Sequence, residues 1–138
     1  MLTASQLLDA LLERARPLAE SETVPLAAAY GRVLAVARLS ALTVPSFDNS
    51  AMDGYAVRVA DIAMPGVRLP VSQRILAGAV GTALEPGTAA RIFTGAPIPP
   101  GADAVLMQEN CTEEEGQVTV NALPSAGDHI RRAGEDIC

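Results

Sequence analysis

Pro45-Ser46-Phe47-Asp48-Asn49-Ser50-Ala51-Met52-Asp53-Gly54-Tyr55-Ala56-Val57 sets a proline, a cluster of polar side chains and a turn glycine directly ahead of a strand-like segment. Pro45 drives the residue before it out of helical geometry, and Gly54 offers the permissive φ of a tight turn. Asp48 to Asp53 is therefore expected on an exposed loop whose exit is fixed by a strand, Tyr55 to Val59. A polar loop held by a rigid scaffold is the usual architecture of a site.

Outward from this loop the punctuation is all-β in style. Candidate strands are Tyr55 to Val59, Leu69 to Leu76, Ala89 to Thr94, Ala104 to Glu109 and Gln117 to Asn121. Pro65-Gly66, Ala77-Gly78, Pro86-Gly87, Pro100-Gly101 and Glu115-Gly116 separate them. That rhythm suits a small β-barrel or sandwich better than βαβ units. The acidic triplet Glu113 to Glu115 reads as a solvated hairpin tip. Upstream, Thr3 caps a helix with Gln6 three residues on, and Leu7, Leu8, Leu11, Leu12 and Ala15 recur at helical spacing until Pro17 stops the run. Leu26 to Tyr30 is a short helical piece closed by Gly31, followed by an extended run, Arg32 to Ala37. The fold expected is mainly β with an N-terminal helix.

Composition narrows the function classes. The chain has 138 residues and a formal charge of −6, and its ten basic residues are all arginine. A nucleic-acid surface needs a basic stripe, so nucleic acid is not an expected partner. No apolar stretch is long enough to span a bilayer, and no basic region followed by an apolar run opens the chain, so no membrane is expected and the default address is cytoplasmic. Cys111 and Cys138 lack the spacing of a disulfide framework or a zinc site. The core is light, because tryptophan is absent and the aromatic residues are Tyr30, Phe47, Tyr55 and Phe93.

Three groups of residues carry candidate chemistry. Asp48 and Asp53, with the Asn49 carbonyl and Ser50 hydroxyl, are hard oxygen donors of the kind Mg²⁺ takes, and Mg²⁺ leaves positions to water or substrate. Asp48, Asn49 and Ser50 are equally suited to bonding their own loop backbone as turn residues. Thr94 ends an apolar strand ahead of Gly95, where a hydroxyl and an open backbone can meet an oxyanion, although it also reads as a β-former closing a strand. Pro97, Pro99 and Pro100 lack amide protons, so this loop is no phosphate cradle. Arg131 and Arg132 either offer positive charge to an anionic ligand or pair with Glu135 and Asp136 at a structural junction. His129 carries no site argument.

The segment Ser46 to Val57 resembles the hallmark of the molybdopterin molybdenumtransferases, the MoeA and gephyrin E-domain group. Arg91 to Val105, Ile130 to Ile137 and Gly31 to Ala35 agree with it in order. Members of that family run to roughly three times this length, so the resemblance marks the chain as an amino-terminal portion. It implies a β-domain inserted in an elongated multi-domain protein: residues 1–20 docking on a pterin-binding domain, 21–46 as the first limb of a linker domain, 47–134 as the β-domain, and 135–138 as the start of the returning limb. The implied activity is Mg²⁺-dependent insertion of molybdate-derived molybdenum into adenylylated molybdopterin by a homodimer. Asp53 then orients molybdate, Mg²⁺ or their waters, Thr94 hydrogen-bonds an oxyanion, and Asp136 is a third site residue. The alternative is a non-catalytic scaffold module of the gephyrin type.

Overall fold

The computed structural model describes residues 2–16 and 18–138. It divides into two compact units, the first ending at Arg38 and the second spanning Leu39–Cys138. The first unit opens with α1, Ala4–Arg14. Thr3 caps it as the sequence predicts: the Gln6 amide donates to Thr3 Oγ1 at 3.3 Å, and the Thr3 amide donates to Gln6 Oε1 at 3.0 Å. These bonds satisfy donors that a helix start leaves without partners. The helix closes at Arg14, and Pro17, the expected stop, lies outside the described residues. No residue of α1 is buried; Leu7, Leu8, Leu11 and Leu12 all stand exposed. Leu26–Ala28 is a single 3₁₀ turn, and Arg32 to Ala37 joins no strand ladder.

The second unit is built of strands β1 (Asn49–Ser50), β2 (Gly54–Val57), β3 (Val67–Ile75), β4 (Ala89–Ile92), β5 (Ala104–Met107), β6 (Cys111–Glu114), β7 (Gln117–Val120) and β8 (Ile130–Arg131). β1 and β8 form a two-stranded ribbon, and the other six form a sheet in the order β5-β2-β4-β3-β7-β6. Only β3 and β4 are parallel within it. The mainly β architecture expected from the turn spacing is present.

Alternation along the strands splits the core between the two faces of the sheet. Tyr55, Val57, Leu69, Ala89, Leu106, Val118 and Val120 pack together on one side. Ala56, Ile75, Ala90, Ile92 and Val105 pack on the other, where Leu84, Ala96 and Ile98 from loops cover them. β3 feeds both clusters because its register against β4 shifts between Val71 and Gln73. A one-residue slip moves every later side chain to the opposite face, so Leu69 serves one core and Ile75 the other. Full burial of a Val or Ile is worth about 1.5–3 kcal/mol, which makes these two clusters the main source of stability.

The expected strand ends need correction. Tyr55 to Val59 stops at Val57 and Ala104 to Glu109 stops at Met107, each followed by a 3₁₀ turn, Val59–Asp61 and Gln108–Asn110. The acidic triplet is not a hairpin tip as a whole. Glu113 and Glu114 lie on the edge strand β6, and only Glu115 forms the turn with Gly116, at φ 51° and 75°. Positive φ at both central residues is what a two-residue hairpin loop demands. Charged side chains on an edge strand discourage pairing with another chain.

Gly54 is not the turn glycine the sequence suggests: it begins β2 without a positive φ, and it is needed because it is the tightest point of the sheet. A Cβ there would lie 1.7 Å from the Leu106 carbonyl oxygen of β5. Gly54→Ala should therefore destabilise the chain by more than about 3 kcal/mol, or prevent folding, because backbone must part from backbone. Gly78→Ala, where nothing lies within 4 Å, should cost about 1 kcal/mol from its positive φ alone. Urea unfolding of both variants checks this; comparable losses would contradict the packing described.

Candidate functional site

The polar loop is less exposed than its composition suggests. Ser50 is completely buried and Asn49 nearly so, because both form β1. The Ser50 amide donates to the Ala96 carbonyl at 2.9 Å, and the Gly95 amide donates to the Ser50 carbonyl at 2.8 Å. The Ala51 amide donates to the His129 carbonyl at 2.9 Å. A buried loop must find partners for its backbone, and here the loops after β4 and before β8 provide them.

The side chains then sort by partner. Ser50 Oγ donates to the Met52 carbonyl at 2.5 Å and accepts the Met52 amide, and Asn49 Nδ2 donates to the Phe47 carbonyl at 3.2 Å. Both behave as turn residues. Asp48 instead reaches across the fold: Oδ1 accepts the Ala133 amide at 2.8 Å and Oδ2 accepts Arg132 Nη1 at 2.6 Å. The Ala133 amide, then the Arg132 guanidinium, hold its carboxyl below the usual 3.8. Asp48 is a clamp between two segments of the chain.

Asp53 and Thr94 meet at the ends of neighbouring strands. Asp53 Oδ1 accepts both the Thr94 amide at 2.8 Å and the Thr94 hydroxyl at 2.7 Å. These two bonds, with a smaller contribution from the Arg91 charge, hold the Asp53 carboxyl below its ordinary range. Asp53 is ionised at neutral pH, and its Oδ2 takes no hydrogen bond from a described residue. Both Thr94 donors already serve Asp53, so a hydroxyl bond to an oxyanion requires the Thr94 proton to leave Oδ1. Asp136 stands outside this pair. Its carboxylate accepts Arg131 Nη2 at 2.6 Å, and its amide donates to the Val44 carbonyl at 3.0 Å. Arg131 Nε also donates to Glu135 at 3.0 Å, so the ion pairing expected at this junction is present.

Arg91 carries no signal in a residue-type search, yet it sits under the site. It is almost fully buried, donates to the Gly54 carbonyl at 3.2 Å and to Gln108 Oε1 at 2.6 Å, and stacks on Tyr55 and Phe93. A single arginine in the otherwise apolar strand Ala89–Ile92 is the clue the sequence offered. Tyr55 in turn donates to Glu113 at 2.5 Å, and burial with that carboxylate pushes its phenol up to about 12.

Among the described residues no three of His, Cys, Asp and Glu converge as a metal cage. The donor set fits Mg²⁺ only as a partial site, with Asp53 Oδ2 as one ligand and water or substrate oxygens completing the shell. Asp48 and Ser50 are committed elsewhere.

Fold and site together define a class: a small β-domain whose sheet end presents an ionised carboxylate steadied by a neighbouring threonine. The model of the MoeA N-terminal region, domain I and II, matches residues 2–138, and the chain belongs to that family. It is 43% identical over 139 residues to a molybdopterin molybdenumtransferase of Haemophilus influenzae, covering 99% of this chain and 34% of that protein. It is 47% identical over 120 residues to molybdopterin molybdenumtransferase 2 of Mycobacterium tuberculosis, covering 83% of this chain and 30% of that protein. The molybdopterin biosynthesis MoeA protein of Pyrococcus horikoshii superposes with a TM-score of 0.70 at 36% identity, covering 94% of this chain and 36% of that one. The chain thus spans about a third of the length of these relatives.

The Asp48 clamp generates a pH-dependent prediction. A carboxyl whose pKa is depressed on folding adds stability above its unfolded value, and that stability is lost as pH falls through the folded value. Asp48→Asn should therefore destabilise modestly at pH 6 to 7, by about 0.5 kcal/mol for a partly exposed clamp, and the gap to wild type should close as pH falls from the ordinary carboxylate range through the depressed folded value. Urea unfolding across that range measures it; a gap independent of pH would show that the Asp48 charge contributes nothing.

Proposed function

We propose that the full-length protein carrying this chain is a molybdopterin molybdenumtransferase, which inserts molybdate-derived molybdenum into adenylylated molybdopterin with the help of Mg²⁺. The Asp53–Thr94 pair is the observation that carries this reading at the level of residues. The names of the relatives support it at the level of the reaction. The chain forms one wall of the site, and a pterin-binding domain beyond the matched region forms the other. Residues 47–134 act as the β-domain, 21–46 and 135–138 as limbs of a linker domain, and 1–20 as a helix docked on the pterin domain. The protein works as a cytoplasmic homodimer.

Asp53 is the principal site residue. Its free Oδ2 takes Mg²⁺ or a water of the oxyanion, while Oδ1 stays with Thr94. When bound, Mg²⁺ supplies positive charge that offsets the negative oxygens gathered at the site. Thr94 fixes the carboxylate and, when its hydroxyl turns away from Oδ1, donates to molybdate. Asp136 is a supporting residue that acts through the Arg131 guanidinium it holds.

Asp53→Asn in the full-length protein keeps volume and an acceptor oxygen but removes the charge a cation requires. Insertion, read by reconstitution of a cofactor-free molybdoenzyme, should fall by roughly tenfold or more, with thermal unfolding nearly unchanged. Thr94→Val should lose roughly 1 to 3 kcal/mol. A large drop in unfolding temperature with wild-type activity per folded molecule would make Asp53 a structural turn residue.

A further inference from the structure

Among the described residues Arg91 is a buried cation with no carboxylate in ion-pair contact, although its charge is felt by Asp53. Its side chain donates only to neutral acceptors, the Gly54 carbonyl at 3.2 Å and Gln108 Oε1 at 2.6 Å. Its guanidinium lies 5.1 Å from the Tyr55 ring centre and 4.7 Å from that of Phe93. By contrast, Arg32, Arg58, Arg131 and Arg132 each have an acidic partner. A guanidinium removed from water without an anion is costly, and aromatic stacking offsets only part of that cost.

That charge lies at the root of the Asp53 loop. Arg91 bonds the carbonyl of Gly54, the residue after Asp53, and Gln108, whose side chain accepts from Arg91, donates its own amide to the Asp53 carbonyl at 3.0 Å. Arg74, the register partner of Arg91 on β3, adds a second guanidinium 5.4 Å from the Phe93 ring centre. Among the described residues Arg74 has no ion pair either. Two unneutralised arginines thus flank Phe93, one residue before Thr94, on a chain whose formal charge is −6. A tetrahedral dianion approaching Asp53 meets a carboxylate of its own sign, and positive charge beneath that carboxylate is what makes the approach favourable.

We propose that Arg91, reinforced by Arg74, is the electrostatic positioning residue that admits a tetrahedral oxyanion to the Asp53–Thr94 pair. The inference rests on the reading of Asp53 given above. The oxyanion is either free molybdate or a phosphate group of the pterin substrate, since both present tetrahedrally arranged, negatively charged oxygens.

Gln108→Glu tests it without emptying the core, because Gln108 is exposed and Glu is nearly isosteric. The substitution hands Arg91 a carboxylate and cancels its field. In the full-length protein the KM for the oxyanion-bearing substrate should rise about fivefold or more, with kcat at saturation within about twofold and the unfolding temperature unchanged or higher. Arg74→Gln, also at an exposed position, should raise the same KM by a smaller factor. The dependence of KM on ionic strength should flatten in both variants. A rise in the KM for molybdate assigns the free oxyanion, and a rise in the KM for adenylylated molybdopterin assigns its phosphate. If both KM values match wild type while Asp53→Asn remains impaired, Arg91 is a structural stack and the inference fails. If Asp53→Asn is itself unimpaired, it is the underlying reading of the site that fails.

Discussion

The close approach of β2 to β5 at Gly54 is the constraint on which the rest of this domain depends. The Leu106 carbonyl occupies the space of a side chain at position 54, so the two strands come together only because no Cβ is present. β2 is thereby held next to both β4 and β5. Asp53 precedes that contact by one residue and Thr94 follows β4 by two, so the same approach that closes the sheet brings carboxylate and hydroxyl within hydrogen-bond distance. Core packing and site geometry are one arrangement viewed from two ends.

The second organising element is a convergence of three separated segments. β1 lies between the loop after β4 and the ribbon strand β8, and its buried backbone draws donors and acceptors from both. Asp48 adds a charged clamp to Arg132 and Ala133, and the Gly134 amide closes the junction on the Pro45 carbonyl at 2.9 Å. Such charge-assisted bonds, partly exposed, contribute modestly to stability. Their importance is directional, because they fix where the Asp53 loop begins while Gly54 fixes where it ends.

Much of this was legible in the sequence. The capping box at Thr3 and Gln6, the two-residue turn at Glu115-Gly116 and the five apolar strands follow from local chemistry that acts within a few residues. What stayed hidden arises between distant residues. β6 reads as polar because it is an edge with a wet face, and the burial of Ser50 depends on partners tens of residues away. The face switch in β3 comes from a register shift that no alternation pattern announces. Asp53 and Thr94 each stood out by type, and their mutual bond appears only once the strands are paired. Arg91 was concealed by lying in an apolar strand, where an arginine reads as an irregularity rather than as charge beneath a site.

The sheet end therefore combines an anionic acceptor, a hydroxyl and buried positive charge within a few residues of strand, a set suited to holding a hydrated cation and an oxyanion together. The function proposed for Asp53 and Thr94 requires this end of the sheet to face the molybdenum source. Anomalous scattering at the molybdenum edge, from crystals of the full-length protein soaked in molybdate, tests it most directly. A molybdenum peak is expected within about 6 Å of Asp53 Oδ2 and Thr94 Oγ1, the reach of a hydrogen bond or one bridging water beyond an oxo ligand. A molybdenum peak bound elsewhere in the protein, with nothing above background at this sheet end, would contradict it.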